Sequence, residues 1–375
     1  MFRTTAKWTS RSLLAGAWCV LVAWLLGMLA NDRFAWSQFL WWMPTPLVAL
    51  AAAFATAAAW ALNRAGRNTE GTGPLRSRMH HALNATWTAV GILTLTFLIF
   101  EARLYRAVLP GPPPPDKPLR LVAWNINTAR IEDVPARIAS LSPDVFLMAN
   151  RPYFGSFSDL RATVGEKTSV AAGGRLALIS RYPVLASTHV TLDILGAQPR
   201  TFRWQGGGMV SIDKGEALLV LLDTREWNGS TLCVWLLDLP SDPPISRDRM
   251  MRQAREAIEN FKGPAYLPRE NAADQPIVAD DALRAKLLAP DVLAGDLNTP
   301  RHSRSISHIA PGMRFAPDDA GDGWRMTFPA ALASLAIDNT LLSDRVGCWY
   351  YGVRELSERQ RDHLAQITVL TPRKN

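Results

Sequence analysis

The sequence predicts a layered α/β sandwich that follows three membrane-spanning helices. Three observations lead to this fold class. Three long apolar stretches crowd the first hundred positions, a short proline-rich segment follows them, and the remainder of the 375 residues alternates strand-like and helix-like patterns. We therefore divide the chain into a membrane region at 1–106, a linker at 107–118 and a globular domain at 119–375.

Each apolar stretch approaches the roughly 20 residues that an α-helix needs to cross the hydrocarbon core, and none contains a charged residue. The stretches are Ser12–Ala30, Phe39–Leu62 and Ala82–Phe100. A cleaved signal peptide is the alternative for the first stretch. The absence of a small-residue cleavage site, together with the two apolar stretches that follow, favours a retained helix.

Basic residues set the expected orientation of these helices. They precede the first helix and fill the second connection, at Arg3, Lys7, Arg11, Arg64, Arg67, Arg76 and Arg78. The positive-inside rule places the N-terminus in the cytoplasm and, after three crossings, the globular domain on the extracytoplasmic side. Arg103 and Arg106, near the outer end of the third helix, argue against this orientation.

The net charge of +8 is weak evidence for a nucleic acid partner, because part of the basic excess flanks the membrane helices. Nucleic acid is therefore a possible partner but not a favoured one, and the oligomeric state is left open. Cys19 lies in the first helix, and no cysteine spacing matches a zinc site. Cys233 and Cys348 form either a disulfide or, as we expect, two buried free thiols.

The globular domain begins with a strand at Leu119–Asn127 and a helical pattern carried by Ile131, Val134, Ile138 and Leu141. Strands follow at Asp144–Asn150 and at Gly174–Leu185, the second broken before Pro183. Further strand-like runs are GGMVSID, EALLVLLDT and STLCVWLLDLP, then an amphipathic helix at Arg247–Phe261, then the runs PDVLAGDLN, LAIDNTLLS and LAQITVL. This mixture predicts stacked sheets with helices outside them.

Polar residues occur where several of these strands end. Side chains alternate across a strand, so Asp296 and Asn298 share one face, as do Asn125 and Asn127. Asp338 follows the apolar residues of another strand, and Asp362 and His363 precede the last. Each of these groups also has a purely structural interpretation as a turn or strand edge. Their number instead suggests a site.

Six segments carry recognisable motifs, in the order LRLVAWNIN, SPDVFLMAN, GRLALISRYPVL, VLAGDLNTP, GDGWRMTFPAALASLAIDNTLLS and RDHLAQITVL. In this order they resemble the motifs of the endonuclease/exonuclease/phosphatase superfamily, here in a bacterial, membrane-anchored form. The resemblance implies a four-layer α/β/β/α sandwich of the DNase I-like type. It also implies hydrolysis of a phosphate ester with Mg²⁺ or Mn²⁺, and a place in the bacterial inner membrane.

The resemblance assigns roles to single residues. Asp296 would activate the attacking water, with Asn298 holding that water. His363 would donate to a phosphate oxygen, with Asp338 fixing its tautomer. Asn125 and Asp362 would bind the divalent metal or the phosphate, which suits a hard cation that takes oxygen ligands.

Two departures from the family pattern affect the expected metal site. Asn150 stands where the family has the glutamate that is its principal metal ligand, and this neutral amide weakens the site. Asp238 replaces a histidine that contacts the phosphate in many members, and it is either a remnant of a lost site or a new metal ligand. The sequence thus predicts a membrane-anchored, metal-dependent phosphoesterase. The alternative is a catalytically impaired member that binds a phosphorylated ligand or a protein.

Overall fold

The computed structural model describes residues 2–65, 74–107, 113–126, 134–150, 164, 168–197, 200–203, 209–212, 214–267, 275–277, 280–321, 323–356 and 363–373. The chain divides into two compact units, residues 1–109 and 110–375.

The first unit is helical. Its elements are α1 (Phe2–Ala30), α2 (Ser37–Trp41), α3 (Thr45–Ala65) and α4 (Pro74–Thr96), followed by a π-helical turn (Phe97–Glu101) and a 3₁₀ turn (Leu104–Ala107). Among the described residues, three segments are long and apolar enough to span a membrane, which confirms the predicted number of candidate helices: Thr5–Ala30, Thr45–Ala65 and Arg78–Glu101. Buried small residues, including Ala52 and Ala59, allow close helix packing.

The second candidate helix is shorter than predicted. The sequence pattern started it at Phe39, whereas α3 starts at Thr45 and Phe39 belongs to the separate five-residue helix α2. Pro44 lies between the two helices. Proline lacks a backbone N–H and disfavours helical geometry in the residue before it, so the apolar run cannot continue as one helix.

The second unit contains sixteen strands among its described residues. They are β1 (Leu119–Asn125), β2 (Val145–Ala149), β3 (Ser169–Gly173), β4 (Leu176–Ser180), β5 (Val184–Thr191), β6 (Arg200–Arg203), β7 (Met209–Ile212), β8 (Glu216–Thr224), β9 (Ser230–Asp238), β10 (Ala265–Leu267), β11 (Gln275–Ile277), β12 (Val292–Asp296), β13 (Arg314–Phe315), β14 (Asp338–Leu342), β15 (Val346–Arg354) and β16 (Ala365–Pro372).

The described helices of this unit alternate with the strands along the sequence. They are α5 (Val134–Leu141), α6 (Arg225–Asn228), α7 (Arg247–Glu259), α8 (Asp281–Leu287), α9 (Ile306–Ile309), α10 (Ala316–Ala320) and a 3₁₀ turn (Ala330–Leu332). A six-stranded sheet has the order β15-β16-β1-β2-β4-β3, and an eight-stranded sheet has the order β11-β10-β5-β8-β9-β12-β14-β13. Strands β6 and β7 form a separate pair.

Three apolar cores define four layers. One core joins the facing sides of the two sheets and includes Leu121 of β1 and Val234 of β9. A second core packs helices, among them Met250 of α7, against the other side of the eight-stranded sheet. A third packs Ile138 of α5 against the outer side of the six-stranded sheet, where it meets Phe146. The predicted four-layer α/β/β/α sandwich is therefore confirmed.

The chain passes from one sheet to the other at Pro183. The predicted strand Gly174–Leu185 is in fact two strands, because β4 belongs to the six-stranded sheet and β5 starts at Val184 in the eight-stranded one. Proline cannot donate to a sheet ladder, which makes it suited to such a crossing. Cys233 and Cys348 are free thiols, as expected, although Cys348 is only half-buried.

Candidate active site

Four acidic residues lie at one level across four neighbouring strands. The register pairs Glu216 of β8 with Asp238 of β9, Asp238 with Asp296 of β12, and Asp296 with Asp338 of β14. Paired residues share a face of the sheet. This face is the one whose Leu236 and Ala294 belong to the core between the sheets. The acids thus lie at the rim of the sheet, where the core between the two sheets ends.

The backbone around Asp296 explains why glycine precedes it. Gly295 has φ of +134°, a conformation that side chains rarely adopt, and an added Cβ there would clash with the carbonyl oxygen of Leu237. Asn298 lies in the left-handed region with φ of +46°, which asparagine tolerates well. Its backbone N–H donates to Asp296 Oδ1 at 2.8 Å, and its Nδ2 donates to the Leu239 carbonyl at 2.7 Å. The turn therefore fixes the carboxylate.

His363 lies between two of the acids. Its Nδ1 is 2.9 Å from Asp338 Oδ2, and its Nε2 is 3.6 Å from Asp296 Oδ2. All three side chains are buried. The contact with Asp338 makes Nδ1 the donor and directs Nε2 towards Asp296. The structure thus brings together three residues that are far apart in sequence.

Two amides reach the same place from the facing sheet. Asn125, at the end of β1, donates through Nδ2 to Asp296 Oδ2 at 2.9 Å, and this nitrogen is 3.4 Å from His363 Nε2. Asn150 follows the end of β2 and donates through Nδ2 to Asn125 Oδ1 at 2.9 Å. Strands β1 and β2 are parallel neighbours, so their carboxyl ends lie at the same rim. The predicted residues Asn125 and Asn150 are therefore part of the cluster.

Of the two remaining predicted site residues, the structure describes Asp238 but not Asp362. Asp238 faces the site through its register with Asp296, and its charge contributes to raising the pKa of His363. Asp362 lies outside the described residues, so its assignment as a metal ligand stays a prediction.

Burial and the charges of neighbouring groups shift the pKa values of Asp296 and His363. Desolvation, followed by repulsion from Asp338, raises the pKa of Asp296 to about 7, although His363, the Asn298 N–H and Asn125 act to lower it. For His363, burial by itself lowers the pKa. The nearby carboxylates of Asp338 and Asp296 and the Asp338 hydrogen bond outweigh burial and raise the pKa to about 10. At neutral pH the imidazole is a cation and Asp296 is partly ionised.

Three contacts were not predicted from sequence, two of them with His363 and one with Asp338. Trp124 Nε1 donates to the His363 carbonyl at 3.1 Å, and the Phe328 ring lies 5.0 Å from the His363 ring, centroid to centroid. The backbone N–H of Asp338 is 3.3 Å from Thr327 Oγ1. Trp124 and the segment around Thr327 were singled out only as motif residues. Their contacts depend on non-local packing.

Comparison with known proteins places this arrangement in a class. The two stacked sheets with polar residues at one rim define a DNase I-like α/β sandwich. The family model described as "Endonuclease/Exonuclease/phosphatase family" matches residues 122–358. The chain therefore belongs to the endonuclease/exonuclease/phosphatase family. A search among curated proteins found no match.

Solved structures with a similar fold come from several organisms. An endonuclease/exonuclease/phosphatase from Bacteroides vulgatus has 16% identity and a TM-score of 0.45, with 69% of this chain and 100% of that chain covered. A mannosyl-6-phosphatase from Bacteroides thetaiotaomicron has 13% identity and a TM-score of 0.43, covering 68% and 99%. A D. rerio TDP2 humanized by 14 mutations has 14% identity and a TM-score of 0.42, covering 68% and 99%.

The donor chemistry at the rim fits a hard divalent cation. Asn125 and Asn150 offer amide oxygens and Asp238 offers a carboxylate, and these are the ligands that Mg²⁺ prefers. Asp296, Asp338 and His363 also each place one ligand atom within 4.8 Å of the others. The imidazole of His363 is already held by Asp338 and protonated. The oxygen set is therefore the more suitable one for Mg²⁺.

Proposed function

We propose that this protein is a membrane-anchored, metal-assisted hydrolase of phosphate esters. The observation that carries this proposal is the contact series Asp338–His363–Asp296, in which a buried imidazolium lies 3.6 Å from a buried carboxylate that titrates near neutral pH. A buried acid and a buried cation with pKa values moved in this way are typical of a catalytic pair.

In this proposal Asp296 is the base. A water oxygen forms a bond to phosphorus while its proton passes to the carboxylate of Asp296. The bond between phosphorus and the leaving oxygen breaks, its electron pair stays on that oxygen, and the oxygen takes a proton from solvent. The backbone N–H of Asn298 and the amide of Asn125 hold the carboxylate in one orientation. A base with a pKa near the working pH is well matched to this task.

His363 acts as a positioned cation. With its pKa near 10 it stays protonated at neutral pH and donates from Nε2 to a non-bridging phosphate oxygen, where negative charge increases during the reaction. Asp338 keeps Nδ1 protonated and fixes the ring orientation. The two acids thus have different roles, one towards water and one towards histidine.

A divalent metal would be held by Asn125, Asn150 and Asp238, together with Asp362. When bound, it neutralises charge on the phosphate. Because Asn150 supplies a neutral oxygen, the protein's residues bind the metal weakly in its resting state, and the phosphate of the substrate supplies part of the ligand charge.

The membrane part of the proposal rests on the three apolar helices and the flanking basic residues. We propose that residues 1–106 anchor the chain in a bacterial inner membrane, with residues 119–375 on the extracytoplasmic side after the linker at 107–118.

A second candidate function has one observation in its favour. Asn150 donates through Nδ2 to the oxygen of Asn125, so a hydrogen bond joins two neutral amides where the family pattern has a charged metal ligand. This arrangement suits a family member that retains a phosphate-binding rim without turnover.

The experiment that separates the two functions uses the full chain in detergent or nanodiscs. A phosphodiester and a phosphomonoester chromogenic substrate are tested with Mg²⁺, Mn²⁺ or a chelator, beside Asp296→Asn and the surface variant Asp193→Asn. A hydrolase shows metal-stimulated turnover that Asp296→Asn reduces roughly a hundredfold or more and that the control retains. If the wild type turns over neither substrate but binds phosphate, the enzymatic proposal is wrong.

A further inference from the structure

One loop beside the site has an exposed surface made entirely of apolar residues. Between Trp324 and Ala333 the polar side chains are those of Arg325 and Thr327, and both are buried. The exposed or half-buried positions of this segment, which we call the apolar loop (Trp324–Ala333), are Trp324, Phe328, Pro329, Ala330, Ala331 and Leu332. A solvated loop normally carries polar residues at such positions.

The apolar loop is exceptional within its own unit. Among the described residues beyond position 110, three large apolar side chains are exposed, namely Leu195 at 61%, Trp324 at 46% and Leu332 at 71%. Two of these three belong to the apolar loop. Exposed apolar groups that cluster, unlike those scattered singly, indicate an interaction site.

Hydrogen bonds join the two ends of the apolar loop and connect the loop to the residue after His363. Trp324 Nε1 donates to the Ala333 carbonyl at 2.7 Å, and Leu335 N donates to the Phe328 carbonyl at 2.9 Å. The N–H of Leu364, next to His363, donates to the Thr327 carbonyl at 2.8 Å. With Phe328 against the His363 ring, the apolar surface begins at the histidine that we assign to the phosphate.

We propose that the substrate is a lipid phosphoester whose hydrocarbon chain lies along the apolar loop while its phosphate meets His363. This inference rests on the proposed hydrolase function and narrows its substrate class. Two observations select a hydrocarbon partner: the surface next to the phosphate position carries no exposed charge between Trp324 and Ala333, and the same chain has three candidate membrane helices. A substrate made only of charged or sugar groups would leave this apolar surface in water.

The test compares two probes with one headgroup chemistry. The full chain in detergent micelles is assayed on dioleoyl phosphatidylglycerol and on water-soluble glycerophosphoglycerol, and likewise on dioleoyl phosphatidic acid and glycerol 3-phosphate. The variants are Leu332→Ser and Trp324→Phe, the latter keeping an apolar ring without the indole N–H. Leu195→Ser is the matched control, because Leu195 is similarly exposed outside the loop.

We expect the wild type to prefer a long-chain substrate. Leu332→Ser should lower kcat/KM on it roughly tenfold, mostly through KM, since burying a leucine side chain is worth about that factor or more. The same variant should change kcat/KM on the soluble counterpart less than about twofold, because the contacts of Thr327 and Phe328 with the site are unaltered. Trp324→Phe should retain most of the preference, and Leu195→Ser should match the wild type.

The outcomes are distinguishable. Equal wild-type activity on long-chain and soluble probes, or an equal loss on both in Leu332→Ser, overturns the lipid proposal while leaving the hydrolase proposal intact. A wild type that is inactive on all four probes but active on the chromogenic substrates also overturns the lipid proposal, whereas inactivity on every one of these substrates refutes the hydrolase function itself.

Discussion

Nδ1 of His363 lies 2.9 Å from Oδ2 of Asp338, and both side chains are buried. This contact decides which nitrogen of the ring faces the rest of the site. It also supplies much of the attraction that keeps the imidazole charged despite its burial. The pair therefore behaves as one unit, in which the carboxylate keeps the imidazole charged, as the proposed contact with phosphate requires.

Asp338→Asn should lower the pKa of His363, because the replacement removes both a charge and an acceptor of the Nδ1 proton. The alkaline limb of the pH–rate profile, where activity is lost, should therefore move to lower pH. The rate at neutral pH should fall roughly a hundredfold. A pH–rate profile together with NMR titration of the His363 ring checks this. An unchanged alkaline limb would show that His363 need not be protonated.

The acid side of the pH profile should report Asp296. Its pKa is raised to about 7, and a base must be ionised, so kcat/KM should increase as pH rises through about 7. Asp338→Asn removes the repulsive partner and should shift this limb to lower pH. The profile is measured at saturating and at limiting metal. A flat rate between pH 5 and 8, with activity retained in Asp296→Asn, contradicts the assignment.

Protein stability should also depend on His363. Its folded pKa of about 10 lies above its ordinary value of 6.5, so the folded state holds a proton that the unfolded state releases between these values. The resulting stabilisation is fully present below pH 6.5 and is lost as pH rises to about 10. In His363→Gln the free energy of unfolding should vary less over this window. Chemical denaturation at several pH values measures the free energy of unfolding of both proteins. If this free energy depends on pH in the same way in both, the raised pKa of His363 is refuted.

Asn150→Glu should strengthen metal binding by restoring a charged oxygen at the family position. We expect the Mg²⁺ concentration for half-maximal activity to fall roughly tenfold or more, and Mg²⁺ to raise the Tm of the variant more than that of the wild type. Asn150→Gln, which keeps a neutral amide, is the control. If both variants respond to Mg²⁺ alike, residue 150 is not a metal ligand.

Gly295→Ala should destabilise the fold by at least about 2 kcal/mol, because both the positive φ and the Leu237 carbonyl oppose a Cβ. Gly312→Ala is the matched control: Gly312 also has a positive φ, +74°, but an added Cβ there meets nothing within 4 Å. The control should lose only about 1 kcal/mol. Thermal denaturation compares the two, and equal losses would mean that the contact with β9 is unimportant.

Much of the fold was predictable because the strands of buried sheets read as apolar runs. The runs at Leu119 and Val292 became β1 and β12 as expected. The strand β15 was missed, because its glycines and half-exposed aromatic residues do not form a regular apolar pattern. Its place depends on pairing with β16, which is a non-local contact.

The candidate site was predictable to a similar extent. The motif order drew attention to Asp296, Asp338 and His363, and the structure brings them together. Sequence could not show that Asn150 is bonded to Asn125, nor that Phe328 lies against the imidazole. Both facts arise where separate segments meet, and side-chain packing decides them.

The alignment of four acids across four strands would make the proposed activity dependent on correct strand pairing. Adjacent residues of a strand point to opposite faces, so sliding β12 by one position against its neighbours would turn Asp296 away from His363 and place Leu297 or Gly295 at that level. A misaligned sheet would bury nearly the same apolar mass and still be inert. Activity in this protein would thus report a correctly assembled sheet, whereas compactness alone would not.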